Sequence, residues 1–204
     1  MVRIVAGTAG GRRLATPPGR ATRPTSELVR EGVFATVGSL LGPLDGLVVL
    51  DLYAGSGALA CEALSRGAAR AVLVESDRRA ARVAAANVAG LDRGRARVLT
   101  MRAEQFAARP RPADEPPFDL VLADPPYAVR DAALRAVLDQ LDAQGWLAPG
   151  ALVVLERATG PDWVWPEAVT PVRARRYGST TVWYGRARPG PRCGPHDRDP
   201  GRIP

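Results

Sequence analysis

The 204-residue chain contains no lysine; all 28 of its cationic side chains are arginine. A phosphate loop of the G-x-x-x-x-G-K-[ST] type is thereby excluded, because that loop needs a lysine on the phosphates. The single histidine, His196, sits in a Pro/Gly-rich C-terminal stretch, which argues against a histidine base or a histidine metal site. Two cysteines, Cys61 and Cys193, match no metal-ligand spacing, so no metal is expected and a reduced, cytoplasmic chain is the simplest reading. No apolar run approaches the roughly 18–20 residues of a membrane span, and no signal peptide is visible, so no membrane partner is expected.

The net charge of +7 is unevenly placed. Residues 1–30 hold Arg3, Arg12, Arg13, Arg20, Arg23 and Arg30 against one acid, Glu27. The last twenty residues hold five arginines against Asp197 and Asp199, which leaves the middle of the chain close to neutral. Exclusive use of arginine also fits a GC-rich genome, so the distribution carries more weight than the total. Basic charge gathered at the ends is the footprint of a polyanion binder.

The middle is organised around Val48 to Gly57, V-V-L-D-L-Y-A-G-S-G. The apolar run Leu47 to Leu50 ends in Asp51, and Ala54, Gly55, Ser56 and Gly57 form a turn before an Ala/Leu-rich helical pattern. Strand, glycine turn and helix N-terminus in that order bring a ligand close to bare backbone at the carboxyl end of a strand. A dinucleotide fingerprint would need a third glycine, which is missing. An acid at the strand end repels pyrophosphate and suits a cationic ligand with an amino-acid end, such as S-adenosylmethionine.

Around this stretch the pattern alternates. Residues 2–15 read as two short strands around Gly7-Thr8-Ala9-Gly10-Gly11, and a helix capped by Thr25 or Ser26 runs from about Glu27 to Leu41. Core strands are expected at Leu47 to Asp51, Ala71 to Val74, Arg97 to Met101, Phe118 to Ala123 and Ala151 to Leu155, with helices between them. This implies a parallel, doubly wound sheet with helices on both faces. Val172 to Tyr177 and Thr180 to Gly185, joined at Gly178-Ser179, look like an antiparallel hairpin at its edge. The expected organisation is an N-terminal, polyanion-binding hairpin and helix extension over 1–42, an appendage to the sheet; a ligand-binding α/β domain over 43–185; and a disordered basic tail over 186–204.

Three strand ends carry acids, Asp51, Glu75 and Asp124, on one sheet edge. Glu75, 24 residues after Asp51 and followed by Ser76, stands where an acid accepts the hydroxyls of a ribose. Asp77 is a less favoured competitor. Ala103 and Glu104, after the third strand, are placed to contact an adenine. Asp124-Pro125-Pro126-Tyr127 is the second strong signal. Consecutive prolines fix φ twice and hold the Pro125 carbonyl in one direction. That carbonyl and the Asp124 carboxylate can both accept hydrogen bonds from one exocyclic amine, pointing its lone pair at a sulfonium methyl, while Tyr127 stacks on the base. Asp124 thus belongs to both subsites, and Pro125, Pro126 and Tyr127 to the catalytic one.

The pair D-L-Y-A-G-S-G and A-D-P-P-Y resembles class I S-adenosylmethionine-dependent amino-methyltransferases acting on nucleic-acid bases. R-I-V-A-G-T-A-G-G-R-R-L (from Arg3), T-R-P-T-S-E-L-V-R-E-G-V-F, E-A-L-S-R-G-A (Glu62 to Ala68), V-E-S-D (Val74 to Asp77) and Y-G-S-T (Tyr177 to Thr180) narrow the resemblance to the bacterial RsmD family. The resemblance runs from about Arg3 to Tyr184. It implies a seven-stranded, Rossmann-like, mostly parallel sheet with a basic N-terminal hairpin. It also implies methylation of the N2 amine of a guanine in 16S rRNA, with S-adenosylmethionine as donor. The partner would be the 30S subunit or an assembly intermediate, met by a monomer. Asp51, Gly55, Gly57 and Glu75 would line the cofactor site, and Asp124 to Tyr127 would hold the guanine. Alternatives are a DNA adenine-N6 or cytosine-N4 methyltransferase, for which the chain has no target-recognition domain; a non-enzymatic nucleic-acid binder; and a nicotinamide oxidoreductase.

Overall fold

Short Val/Leu runs, each followed by a turn and an Ala-rich helix, build one sheet. The computed structural model describes residues 2–17, 25–91 and 94–188, the side chains of residues 25 and 26 excepted. Arg20, Arg23 and the tail from 189 onward lie outside the described residues. The elements are β1 (Val2–Arg3), β2 (Arg13–Leu14), α1 (Thr25–Leu41), β3 (Val48–Leu52), α2 (Ala58–Ser65), β4 (Arg70–Glu75) and α3 (Arg78–Ala89). They continue with β5 (Ala96–Thr100), α4 (Ala103–Ala107), β6 (Phe118–Ala123), α5 (Asp131–Ala143), β7 (Leu147–Ala158), β8 (Val169–Tyr177) and β9 (Thr180–Ala187).

Seven strands form one sheet in the order β5-β4-β3-β6-β7-β9-β8, parallel from β5 to β7 and antiparallel in its last two pairings. The C-terminal hairpin is therefore inserted so that β9 meets β7 and β8 takes the edge. Several boundaries differ from expectation, the start of β8 at Val169 among them. β7 starts at Leu147, four residues early, and a register shift opposite Phe118 to Leu120 absorbs Pro149 and Gly150. β9 runs to Ala187, because Arg186 still pairs with Leu152 of β7.

The register decides which acids share a face. Leu52 pairs with both Val74 and Ala123, and Ala123 pairs with Leu155. Glu75, Asp124 and Glu156, each one residue further, therefore stand level with one another. Asp51, two levels back, shares their face because strand side chains alternate with period 2. That face is covered by α1, α2, α3 and the N-terminal hairpin; its core joins Val49, Leu73 and Leu122 to Val33, Phe34 and Val37. The other face buries Leu50, Val121 and Val153 under Phe106, Leu138 and Trp146 of α4, α5 and the turn after α5.

The N-terminal segment is more than an appendage. Val2, Ile4 and Leu14 belong to the same core as the sheet. Its turn is bolted to α2: the amides of Val5 and Ala6 donate to the Glu62 carboxylate at 2.7 and 3.0 Å, and Thr8 N–H donates to the Ser65 carbonyl at 2.7 Å. Gly7, at φ 86°, is obligatory there, since a Cβ would lie 1.9 Å from the Ser65 carbonyl oxygen. Further along, Ala15 N–H donates to Asn87 Oδ1 (2.9 Å), and Asn87 Nδ2 donates to the carbonyls of Ala15 and Ser56. One side chain of α3 thus ties the extension to the glycine turn. The N-terminal segment and the sheet thus share one core.

Candidate active site

A cavity of about 470 Å³ opens at the carboxyl ends of β3, β6 and β7. Its wall includes Asp51, Tyr53, Ala54, Gly55 and Ser56 from the first βα turn, and Asp124 to Tyr127 from the loop after β6. Glu156, Thr180 and the α1 residues Val29, Arg30 and Val33 complete it, with Thr16 and Pro17. The two sequence motifs thus meet across one space.

The turn is held by its own backbone and by two acids. Gly57 N–H donates to Ala54 carbonyl at 2.7 Å, and Ala54 N–H to Val74 carbonyl at 3.1 Å. Gly57 has φ 76°, and a Cβ on it would come within 2.8 Å of Leu73. Asp51 is buried, and its Oδ2 accepts from the Ala60 amide at 3.0 Å, so it caps the first turn of α2 while standing on the cavity wall. Burial, with repulsion from Asp124 and Glu75, pushes its carboxyl up to about 8 in spite of that hydrogen bond. A cationic ligand group beside it would reverse this shift. A buried carboxyl group without a cationic partner, next to a turn that holds Gly55 and Gly57, fits a ligand with a positively charged amino-acid end.

Glu75 is buried as well. Its Oε2 accepts from Gly55 N–H at 2.8 Å and its Oε1 from Asp77 N–H at 2.7 Å. It fastens the glycine turn to the end of β4 and keeps further acceptor lone pairs for a hydroxyl. Asp77 has another job: it caps α3 by accepting from the amides of Arg79 and Ala80. Gly57, Glu75, Ser76 and Ala103 lie off the cavity wall. Ser76 is exposed. The Ala103 side chain is buried in the α4 core, so what it can offer a base is backbone at the start of α4.

Tyr53 adds a feature that the sequence did not announce. It is non-glycine yet has φ 58°, a strained conformation of the kind that gathers at functional sites. Its hydroxyl is buried with no hydrogen-bond partner among the described residues, and burial raises it to about 12. On the target side, Val129 N–H donates to Pro126 carbonyl at 2.9 Å, closing a turn behind the two prolines. Arg157 of β7 fastens that turn, donating through Nη2 to the Val129 carbonyl (3.0 Å) and to Asp131 (2.8 Å). Tyr127 is 48% exposed at the rim. Glu156, Thr180 and Arg157 were missed as site residues. The signal for Glu156 was available, since it ends a strand in step with Asp124.

The basic set divides. Arg12 and Arg13 are exposed on the hairpin, Arg12 donating to the Gly90 carbonyl. Arg3 is exposed and pairs with Glu27 at 3.1 Å. Arg30 is a correction: its side chain is only 4% exposed, donates to the Arg3 carbonyl and pairs with buried Glu62 at 3.5 Å, with Arg66 on the same carboxylate at 2.7 Å. Its charge is spent inside the fold and is not presented to phosphate. No cluster of metal-ligating side chains occurs among the described residues. None of their helices is long and apolar enough to cross a membrane.

Comparison with known proteins agrees with this geometry. The family model described as "Conserved hypothetical protein 95" matches residues 2–186. Ribosomal RNA small subunit methyltransferase D of Escherichia coli K12 is 38% identical over 155 residues, 76% of this chain and 74% of that protein. The protein of the same name from Haemophilus influenzae is 31% identical over 179 residues, 87% and 89% of the two chains. The solved structure of yhhF from Escherichia coli superimposes with a TM-score of 0.79 at 33% identity, covering 92% of this chain and 98% of that one.

Proposed function

Because the chain belongs to the conserved hypothetical protein 95 family, the RsmD methyltransferases of the sequence resemblance, we propose that it methylates the N2 amine of a guanine in 16S ribosomal RNA with S-adenosylmethionine as donor. One observation carries this reading. Asp124-Pro125-Pro126-Tyr127 shares a cavity wall with Asp51 and the Gly55 turn, so an exocyclic amine and a cationic donor can meet inside about 470 Å³. S-adenosylmethionine, when bound, supplies an electrophilic methyl on a sulfonium. Its ammonium end would lie beside Asp51, its backbone-like atoms could approach the glycine turn Ala54 to Gly57 closely, and Glu75 would accept from its ribose. Ser76 and the start of α4 at Ala103 border its base.

On the other side, the Asp124 carboxylate and the Pro125 carbonyl accept the two N–H bonds of the amine. The amine is thereby drawn out of conjugation with its ring, and its lone pair points into the cavity. Tyr127 holds the base by stacking, worth roughly 1–3 kcal/mol. Positioning of this kind supplies most of the acceleration when the electrophile is already activated. Arg3, Arg12 and Arg13 contact RNA phosphates, with Arg20 and Arg23 assigned to the same surface on sequence grounds. The substrate is the 30S subunit or a late assembly intermediate, and residues 1–42 are the RNA-facing part of a cytoplasmic monomer.

The test is methyl transfer. Purified protein and labelled S-adenosylmethionine are incubated with small ribosomal subunits lacking the modification, and separately with duplex DNA. Label in the rRNA is expected; label in DNA but not in rRNA would replace this reading with a DNA amino-methyltransferase.

A further inference from the structure

The edge strand β8 carries charge that neither the site nor the fold uses. Arg173, Arg175 and Arg176 stand in an almost wholly exposed strand. Some other arginines of the domain are matched to acids, as in Arg97–Glu115, Arg157–Asp131 and Arg188–Glu167. Arg173 and Arg175 make no ion pair or hydrogen bond with any described residue.

Cross-strand pairing fixes where they stand. Tyr177 pairs with Thr180, Arg175 with Val182 and Arg173 with Tyr184. Directly paired residues share a face. Val182 and Tyr184 are buried in the core beneath α1, so Arg173 and Arg175 belong to that face, lateral to the helix. Tyr177 marks the near end of the row: its hydroxyl lies where a Cβ on Gly32 of α1 would be, and its partner Thr180 is on the cavity wall. At about 3.3 Å per residue, Arg175 and Arg173 follow Tyr177 at roughly 7 and 13 Å along the strand.

The hairpin arginines occupy the opposite flank. Arg12 is fixed to Gly90 at the end of α3, on the β4–β5 side of the sheet. The cavity opens between the two flanks, and β8 lies four strand spacings, roughly 19 Å, from β3. We propose that Arg173 and Arg175 of β8 form a second phosphate-binding surface, so that the RNA straddles the cavity and is held on both sides of the target base. The proposal rests on RNA being the substrate. A folded RNA backbone, with charge on either side of one extruded base, matches two separated arginine sets around a single opening.

Charged side chains on an edge strand can also serve only to prevent edge-to-edge aggregation. The double variants Arg173→Ala/Arg175→Ala and Arg173→Glu/Arg175→Glu separate the two roles, since glutamates keep the edge charged. Binding of unmethylated small ribosomal subunits is measured by filter retention across a series of KCl concentrations, with calorimetric binding of S-adenosylhomocysteine as the fold control. The slope of log affinity against log salt is expected to fall by about 1.4 to 1.8 in both variants, two contacts at about 0.7–0.9 each, with cofactor-product binding unchanged. Wild-type affinity and slope in the soluble Glu variant would overturn the proposal and leave the arginines as edge guards. Failure of the wild-type enzyme to methylate those subunits would instead strike the functional reading, and is scored separately.

Discussion

At the residue scale, Asp51 and Asp124 look alike in sequence, each an acid at a strand end, and the proposed reaction gives them different work. Asp124→Ala should lower methyl transfer by roughly 10²–10³-fold while cofactor affinity is largely kept, as for removal of one oriented catalytic hydrogen-bonding group. Turnover and calorimetry on the same preparation check both halves. Asp51→Asn keeps an acceptor for the Ala60 amide but removes the buried charge. The native carboxyl, raised to about 8, binds its proton more tightly in the folded than in the unfolded chain. Ligand-free stability from this group is therefore full below about pH 4 and is lost as pH rises towards 8. The variant should melt higher than wild type at pH 8–9, lose that difference near pH 4, and bind S-adenosylmethionine more weakly. Both acids were legible from their positions at strand ends. Tyr53 at φ 58° was not, because its conformation is imposed by the turn it enters and leaves no mark in residue type. Arg30 misled for the opposite reason: one arginine in a basic cluster carries no sign that its partner, Glu62, lies 32 residues away.

At the element scale, the N-terminal hairpin depends on one buried acid. Glu62 is fully buried and receives two hairpin amides and two arginines. Glu62→Ala would leave Arg30 buried without its partner, and a loss of about 3–5 kcal/mol is expected, read as a lower urea midpoint. Gly7→Ala should act more locally, freeing the turn from Ser65, and trypsin under native conditions is expected to cut after Arg12 and Arg13 faster than in wild type. The strands, the helices and the two hairpins could be read from period and punctuation: β6 falls on its expected residues. The early start of β7 could not, because Pro149 and Gly150 read as a strand break and the bulge that accommodates them exists only through pairing with β6. The sharing of one core by hairpin, α1 and sheet was likewise invisible, since it is a property of long-range packing.

At the scale of the whole molecule, the sheet order brings the glycine turn and Asp124-Pro125-Pro126-Tyr127 to adjacent strand ends, and α1 closes over them. That adjacency was legible as a shared sheet edge, since strand ends of a doubly wound sheet share one edge. The contribution of α1 and β9 to the same cavity was not, because neither carries a motif that announces it. The central claim is that this cavity presents a guanine N2 amine to a methyl donor. Its most direct test is mass spectrometry of nucleosides from small-subunit rRNA, isolated unmodified and then incubated with the purified protein and S-adenosylmethionine. N2-methylguanosine is expected to form, and to form far more slowly with Asp124→Ala. Methylation of an adenine or cytosine amine instead, or N2-methylguanosine formed equally well by Asp124→Ala, would contradict the central claim.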